Sequence, residues 1–130
     1  MRPIDQDFFD AVTRNNLDQV KFYIHAGADI NTRDEYGRSL LTKVVSYNHS
    51  EIAKLLIRTG AHLDVQDIDG WTALMIAAAN NYIDVAQCLL DAGVDIHLQN
   101  EMKRNAIILA RWNDFPDMVT LLKKYGATYE

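Results

Sequence analysis

The apolar positions of this chain fall into short helical stripes that recur along its length. Leu41, Val44 and Val45, then Leu74, Ala77 and Ala78, then Ile107 and Ala110 each sketch one apolar helix face of about two turns. Ser39, Thr72 and Asn105 precede these runs, and the side-chain oxygen of each can accept an orphan N–H of a first helical turn. Asn48, Asn81 and Asp114 follow them, with Asn15 at the same place in an earlier unit. Asn and Asp tolerate the left-handed conformation that ends many helices. A second stripe begins at once, with Ile52, Leu55 and Leu56 in one unit and Val85, Leu89 and Leu90 in the next. Gly60 and Gly93 close these second helices as C-terminal caps, and Pro116 stands near a first turn, where its missing N–H costs least. Asp34-Glu35-Tyr36-Gly37 and Asp67-Ile68-Asp69-Gly70 place Asp first and Gly fourth, which suits a type I turn. The predicted unit is turn, helix, turn, helix, loop.

The unit has a fixed period. Gly27, Gly60, Gly93 and Gly126 follow one another at steps of 33 residues, and Gly37 and Gly70 are separated by the same step. Phe22-Tyr23-Ile24, Leu55-Leu56-Ile57, Cys88-Leu89-Leu90 and Leu121-Leu122 precede the first glycine series. Ala28-Asp29-Ile30, Ala61-His62-Leu63 and Val94-Asp95-Ile96 follow three of its members.

A period of this length built from a turn and two helices resembles the ankyrin repeat. The stretch Asp67-Ile68-Asp69-Gly70-Trp71-Thr72-Ala73-Leu74-Met75-Ile76-Ala77-Ala78 matches the family pattern D-x-x-G-x-T-P-L-H-x-A best. Gly27-Ala28-Asp29-Ile30-Asn31 reproduces the G-A-D-[VI]-N element in full. The resemblance covers nearly the whole chain. It implies an all-α fold, an α-solenoid of stacked helix-turn-helix units with β-turn or hairpin fingertips. Residues 1–33 are expected to form an N-terminal cap, 34–66 and 67–99 two inner repeats, and 100–130 a C-terminal cap. The end units are expected to be polar outside, as Lys123 and Lys124 suggest. The chain also departs from the pattern. Leu40, Ala73 and Ala106 replace the family's Pro, and Thr42, Met75 and Ile108 replace its His. Part of the hydrogen-bond network between neighbouring loops should therefore be lost. Lys103 stands where the turn glycine belongs, which predicts an altered third fingertip.

The family uses the row of turns and the concave palm of first helices to bind other proteins. Carried onto this sequence position by position, that surface comprises Arg14, Arg33, Glu35, Tyr36, Arg38 and Tyr47, then Ile68, Asp69 and Trp71, then Met102, Arg104 and Trp112. Trp, Tyr and Arg are the residue types enriched at interface hot spots. A structural reading stands beside this one, in which Trp112 covers the end of the stack and Trp71 packs on the neighbouring turn. The resemblance implies a non-enzymatic module for a protein partner. An inhibitory subunit of the immunity type, blocking an enzyme, would use the same surface.

Composition narrows the classes further. The chain has 13 basic and 18 acidic residues, for a net charge of -5, so it lacks the basic footprint of a nucleic-acid binder. No Lys or Arg occurs from Thr59 to Met102, whereas Asp64, Asp67, Asp69, Asp84, Asp91, Asp95 and Glu101 do. Turn, cap and solvent positions account for most of these acids. No apolar window of about 18 residues predicts a membrane span. The first residues, Met1 to Asp7, hold no apolar stretch of signal-peptide length. With the single cysteine, Cys88, this fits a reducing, cytoplasmic setting, and a monomer is expected.

Catalytic chemistry finds little footing. His25, His49, His62 and His97 are not at metal-ligand spacing, and Cys88 shares its register with Leu55 and Leu121, which predicts a small core residue. Asp67-Ile68-Asp69-Gly70 fails as a calcium loop because Val65 and Ile76 fall on ligand positions. No phosphate loop, nucleophile elbow or zinc-protease motif is present, so no catalytic residue, metal or cofactor is assigned.

Overall fold

The computed structural model describes residues 2–129. Eight helices form four antiparallel pairs: α1 (Pro3–Thr13) with α2 (Leu17–His25), α3 (Leu40–Ser46) with α4 (Ser50–Arg58), α5 (Ala73–Asn80) with α6 (Ile83–Asp91), and α7 (Ala106–Trp112) with α8 (Pro116–Lys124). No strand occurs among the described residues; an isolated bridge joins Arg33 to Ser39 at the base of the first turn.

Local chemistry sets each helix. Ser39, Thr72 and Asn105 cap α3, α5 and α7 by accepting the backbone N–H of Thr42, Met75 and Ile108. At Ser39 the bond is reciprocal, since Thr42 returns its hydroxyl oxygen to the Ser39 N–H as a capping box. Asn15, Asn48, Asn81 and Asp114 all take positive φ between 56° and 61° and turn the chain into the second helix. The inner first helices run seven or eight residues, and α1 is longer at 11.

Two rows of helices stack side by side. α1, α3, α5 and α7 touch in sequence, as do α2, α4, α6 and α8, and the row of first helices packs more extensively. Buried Ala73, Ala77, Ala78, Ala106 and Ala110 let α5 and α7 pack closely. One continuous core runs from Phe8 and Val12 through Leu41, Leu56, Leu74 and Leu89 to Ile107 and Leu122. Buried capping residues extend it, and Asn105 also donates from Nδ2 to the Thr128 carbonyl at 2.8 Å.

Two expectations need correction. Cys88 is half-buried on the flank of α6, beside Lys54, Ile57, Arg58 and Asp91; Leu55 and Leu121 in the same register are also half-buried. At Cys88 that register faces the groove between α6 and the neighbouring second helix α4 rather than the core between the two rows. Trp112 does not cover the end of the stack: it is exposed, and the Arg104 guanidinium lies 3.9 Å from its ring centroid. The C-terminal end carries exposed Lys123 and Lys124, and Phe22 of α2 is exposed as well.

Candidate protein-interaction surface

The fingertips repeat in atomic detail. Asp34, Asp67 and Asn100 stand first in their turns, and each Oδ1 accepts two backbone N–H groups further on. Asp34 takes those of Tyr36 and Arg38, Asp67 those of Asp69 and Trp71, and Asn100 those of Met102 and Arg104, over 2.9 to 3.2 Å. Gly37, Gly70 and Lys103 close the turns, each donating its N–H to the carbonyl of the first residue at 2.9 to 3.0 Å. Lys103 adopts φ 62°, close to the 75° and 81° of the two glycines, so the third fingertip keeps the geometry of the others. A Lys there bears the left-handed backbone that Gly takes freely.

Adjacent fingertips are tied together. Ile68 donates its N–H to the Tyr36 carbonyl at 3.0 Å, and Glu101 to that of Asp69 at 2.9 Å. Side chains at one repeat position reinforce the ties. Arg33 donates from Nε to Gly37 O and from Nη2 to Gln66 O at 3.0 and 2.8 Å. Gln66 donates from Nε2 to Gly70 O and Gln99 O at 3.0 and 2.9 Å. A second ladder joins the loops on the far side, where Asn31 accepts the N–H of His62 and Asp64 that of Asp95, both at 2.9 Å. Other side chains thus bind neighbouring loops where the family's His is missing, and the fingertip row is braced before any partner arrives.

On that frame the sequence-derived residues divide into three groups. Tyr36, Tyr47, Ile68, Met102 and Trp112 are 50%, 48%, 68%, 66% and 68% exposed. They make up five of the seven large apolar side chains exposed among the described residues, the others being Phe22 and Tyr129. Arg14, Arg33, Glu35 and Asp69 are exposed as well. Trp71, Arg38 and Arg104 are half-buried, and the Trp71 N–H is held by Asp67 at the base of its fingertip.

Some of these residues converge and others stand apart. Arg33, Glu35, Tyr36 and Arg38 line one cleft with Phe9 and Lys43, and Tyr36 and Arg38 also wall a second cleft with Ile68 and Asp69. Arg104 and Trp112 pair at the other end of the row. Arg14 and Tyr47 join neither cleft; Tyr47 lies against His49 instead, with ring centroids 5.5 Å apart.

Sequence reasoning missed Phe9 and Lys43. The Lys43 ammonium sits 4.4 Å from the Phe9 centroid and 3.5 Å from Asp34 Oδ2. Register carried the signal, because Lys43 occupies the position where Ile76 and Leu109 are apolar. Asp34 joins this cluster to the fingertip. Burial opposes its ionisation, but the Arg38 backbone N–H, the Arg38 guanidinium and the Tyr36 N–H outweigh that and hold its carboxyl below the ordinary value. Arg38 donates from Nε to Asp34 Oδ2 at 2.8 Å, and its guanidinium lies 5.1 Å from the Tyr36 ring centroid.

None of the described helices is long and apolar enough to cross a membrane. Among the described residues, no group of three or more His, Cys, Asp or Glu side chains gathers as metal ligands would. A search of curated proteins found no match. A family model of ankyrin repeats, in three copies, matches residues 8–100, ending before the last helix pair. Ankyrin repeats are generally protein–protein interaction modules and typically non-enzymatic. With four stacked helix pairs, braced fingertips and a family match over most of its length, this chain belongs to the ankyrin repeat family.

Proposed function

We propose that the chain binds a protein partner on its fingertip and palm face, without chemistry of its own. The observation that carries this reading is the placing of exposed apolar side chains. Folding drives large apolar groups inward, yet five of the seven large apolar side chains exposed among the described residues stand at the repeat positions that the family uses for binding. Recognition there is rigid-surface docking. The braced turns lose little conformational entropy on binding, and the aromatic and Arg side chains serve as anchors. In this reading residues 1–33 and 100–130 cap two inner repeats, 34–66 and 67–99, and the chain acts as a cytoplasmic monomer.

The test is capture from the source lysate by immobilised chain. One variant carries Ile68→Ser, Met102→Ser and Trp112→Ser; a control carries Phe22→Ser, also at an exposed apolar position but outside this face. All four positions are open to solvent, so the helical spectrum should be kept. The reading expects a specific partner to be retained by the control and lost by the triple variant. Equal retention by both would move the binding site elsewhere. If the captured partner is an enzyme, loss of its activity on binding would assign an inhibitory role.

A further inference from the structure

We infer that the partner presents an acidic peptide segment to the first fingertip, with carboxylates on Arg33 and Arg38 and an apolar side chain on Tyr36 and Ile68. The inference rests on the fingertip face being the docking surface, and adds the chemistry of what docks there. Three cationic side chains line the cleft beside that fingertip against two carboxylates.

In the cleft between α1 and the first fingertip, the Asp34 carboxylate is already occupied. It accepts the N–H groups of Tyr36 and Arg38 on Oδ1 and Arg38 Nε on Oδ2, and Lys43 Nζ forms an ion pair with Oδ2 at 3.5 Å. Its charge is answered from within the chain. The donors are not used up in the same way. Arg38 spends Nε on Asp34, and Arg33 spends Nε and one Nη2 bond on backbone carbonyls. The remaining guanidinium N–H groups of both make no hydrogen bond among the described residues. Carboxylates match such guanidinium forks in shape and charge.

The adjoining cleft sets the second element. Tyr36 and Arg38 form its shared wall, and Ile68 lies across it. Tyr36 and Ile68 offer two exposed apolar surfaces there, while Asp67 and Asp69 of the same lining repel further negative charge. Glu35 flanks the first cleft and works against the same ligand.

The probe is a short synthetic peptide of glutamates around one leucine, titrated into isotope-labelled full-length chain and followed by heteronuclear NMR. Counterparts with glutamine or lysine in place of glutamate serve as comparisons. The expected result is saturable shifts at the Arg33 and Arg38 Nε–H signals and the Tyr36 and Ile68 amides, for the glutamate peptide alone. Raising salt to about 0.5 M should weaken the binding, because the charges lie near the surface. Glu35→Gln should tighten it by about 1.5- to 5-fold, the span of one exposed charge pair. Arg38→Gln should weaken it by a similar factor. A tightening in Glu35→Gln cannot arise from damage to the turn. Equal shifts with the glutamine or lysine peptide would overturn the acidic preference and leave the docking face standing. An absence of shifts at these residues with the glutamate peptide would overturn the inference itself, and the capture experiment then judges the docking face independently.

Discussion

Replacing Gly70 by Ala tests the bracing of the fingertip row. Gly70 and Gly60 both hold positive φ, at 81° and 91°, so a Cβ at either position meets the left-handed penalty of about 1–2 kcal/mol. Loss of chain entropy in the unfolded state returns about 0.4–1 kcal/mol at both. Their surroundings differ. A Cβ on Gly60 would meet nothing within 4 Å, whereas on Gly70 it would lie 2.9 Å from Asn100 Cα and 3.0 Å from Glu101 N. Those are backbone atoms of the next fingertip and cannot rotate away. The turn must shift, loosening the Glu101-to-Asp69 and Gln66-to-Gln99 bonds, both 2.9 Å. Each such bond contributes about 0.5–1.5 kcal/mol. Gly60→Ala should therefore cost about 0–1.6 kcal/mol, and Gly70→Ala about 1–3 kcal/mol more. Urea unfolding followed by circular dichroism and by tryptophan fluorescence measures both. At slopes of about 1–3 kcal/mol per molar urea, the two midpoints should stand roughly 1 M apart. Coincident midpoints would refute the claim that neighbouring fingertips are locked backbone to backbone.

Three further outcomes follow from particular residues. Lys103→Gly relieves a left-handed Lys and keeps the backbone hydrogen bond that closes the turn, and should stabilise the chain by up to about 1 kcal/mol in the same assay; a loss of similar size would show that the Lys side chain stabilises its fingertip. Asp5 accepts from the Arg2 guanidinium and the Asp29 N–H, and these hold its carboxyl below the ordinary value against burial. That stability is present above the unfolded carboxylate value near 4 and is lost as pH falls through the lower folded value, so Asp5→Asn should flatten the acid limb of a midpoint-against-pH curve. Tyr125 donates its hydroxyl to Asp91 and accepts from Gln87 Nε2 at 2.6 Å, tying α8 to α6, and the Asp91 bond followed by burial raises its pKa. The bond is complete at neutral pH and is lost as pH rises through the raised folded value, so Tyr125→Phe should lower the midpoint at pH 7 and remove the alkaline loss that the native chain shows.

Legibility followed the range of each interaction. The caps at Ser39, Thr72 and Asn105 and the left-handed ends at Asn15, Asn48, Asn81 and Asp114 act within a few residues, and the sequence displays them openly. The ties from Arg33 to Gln66 and from Gln66 to Gln99 join residues one whole period apart. They depend on the spacing of repeats and on side-chain paths that no local pattern encodes. Lys103 misled because the turn's own hydrogen bonds outweigh the modest strain of a left-handed Lys. Trp112 misled because the end of the stack is covered by α8 and the chain after it, including the Thr128 carbonyl bound by Asn105, which leaves the indole to Arg104. Within the candidate surface, residue identities were readable from register. The Phe9–Lys43–Asp34 cluster depends on α1 lying against the first fingertip and was not.

The central claim is that the fingertip face, and no other, holds the partner. Its most direct measurement is the equilibrium affinity of purified chain for the captured partner, compared across the native sequence, the Ile68→Ser, Met102→Ser, Trp112→Ser variant and the Phe22→Ser control. Anchors of this kind contribute about 1–4 kcal/mol each when buried at an interface, so the triple variant should bind at least about 100-fold more weakly and the control within about twofold of native. Native affinity in the triple variant, or a large loss in the control, would contradict the account.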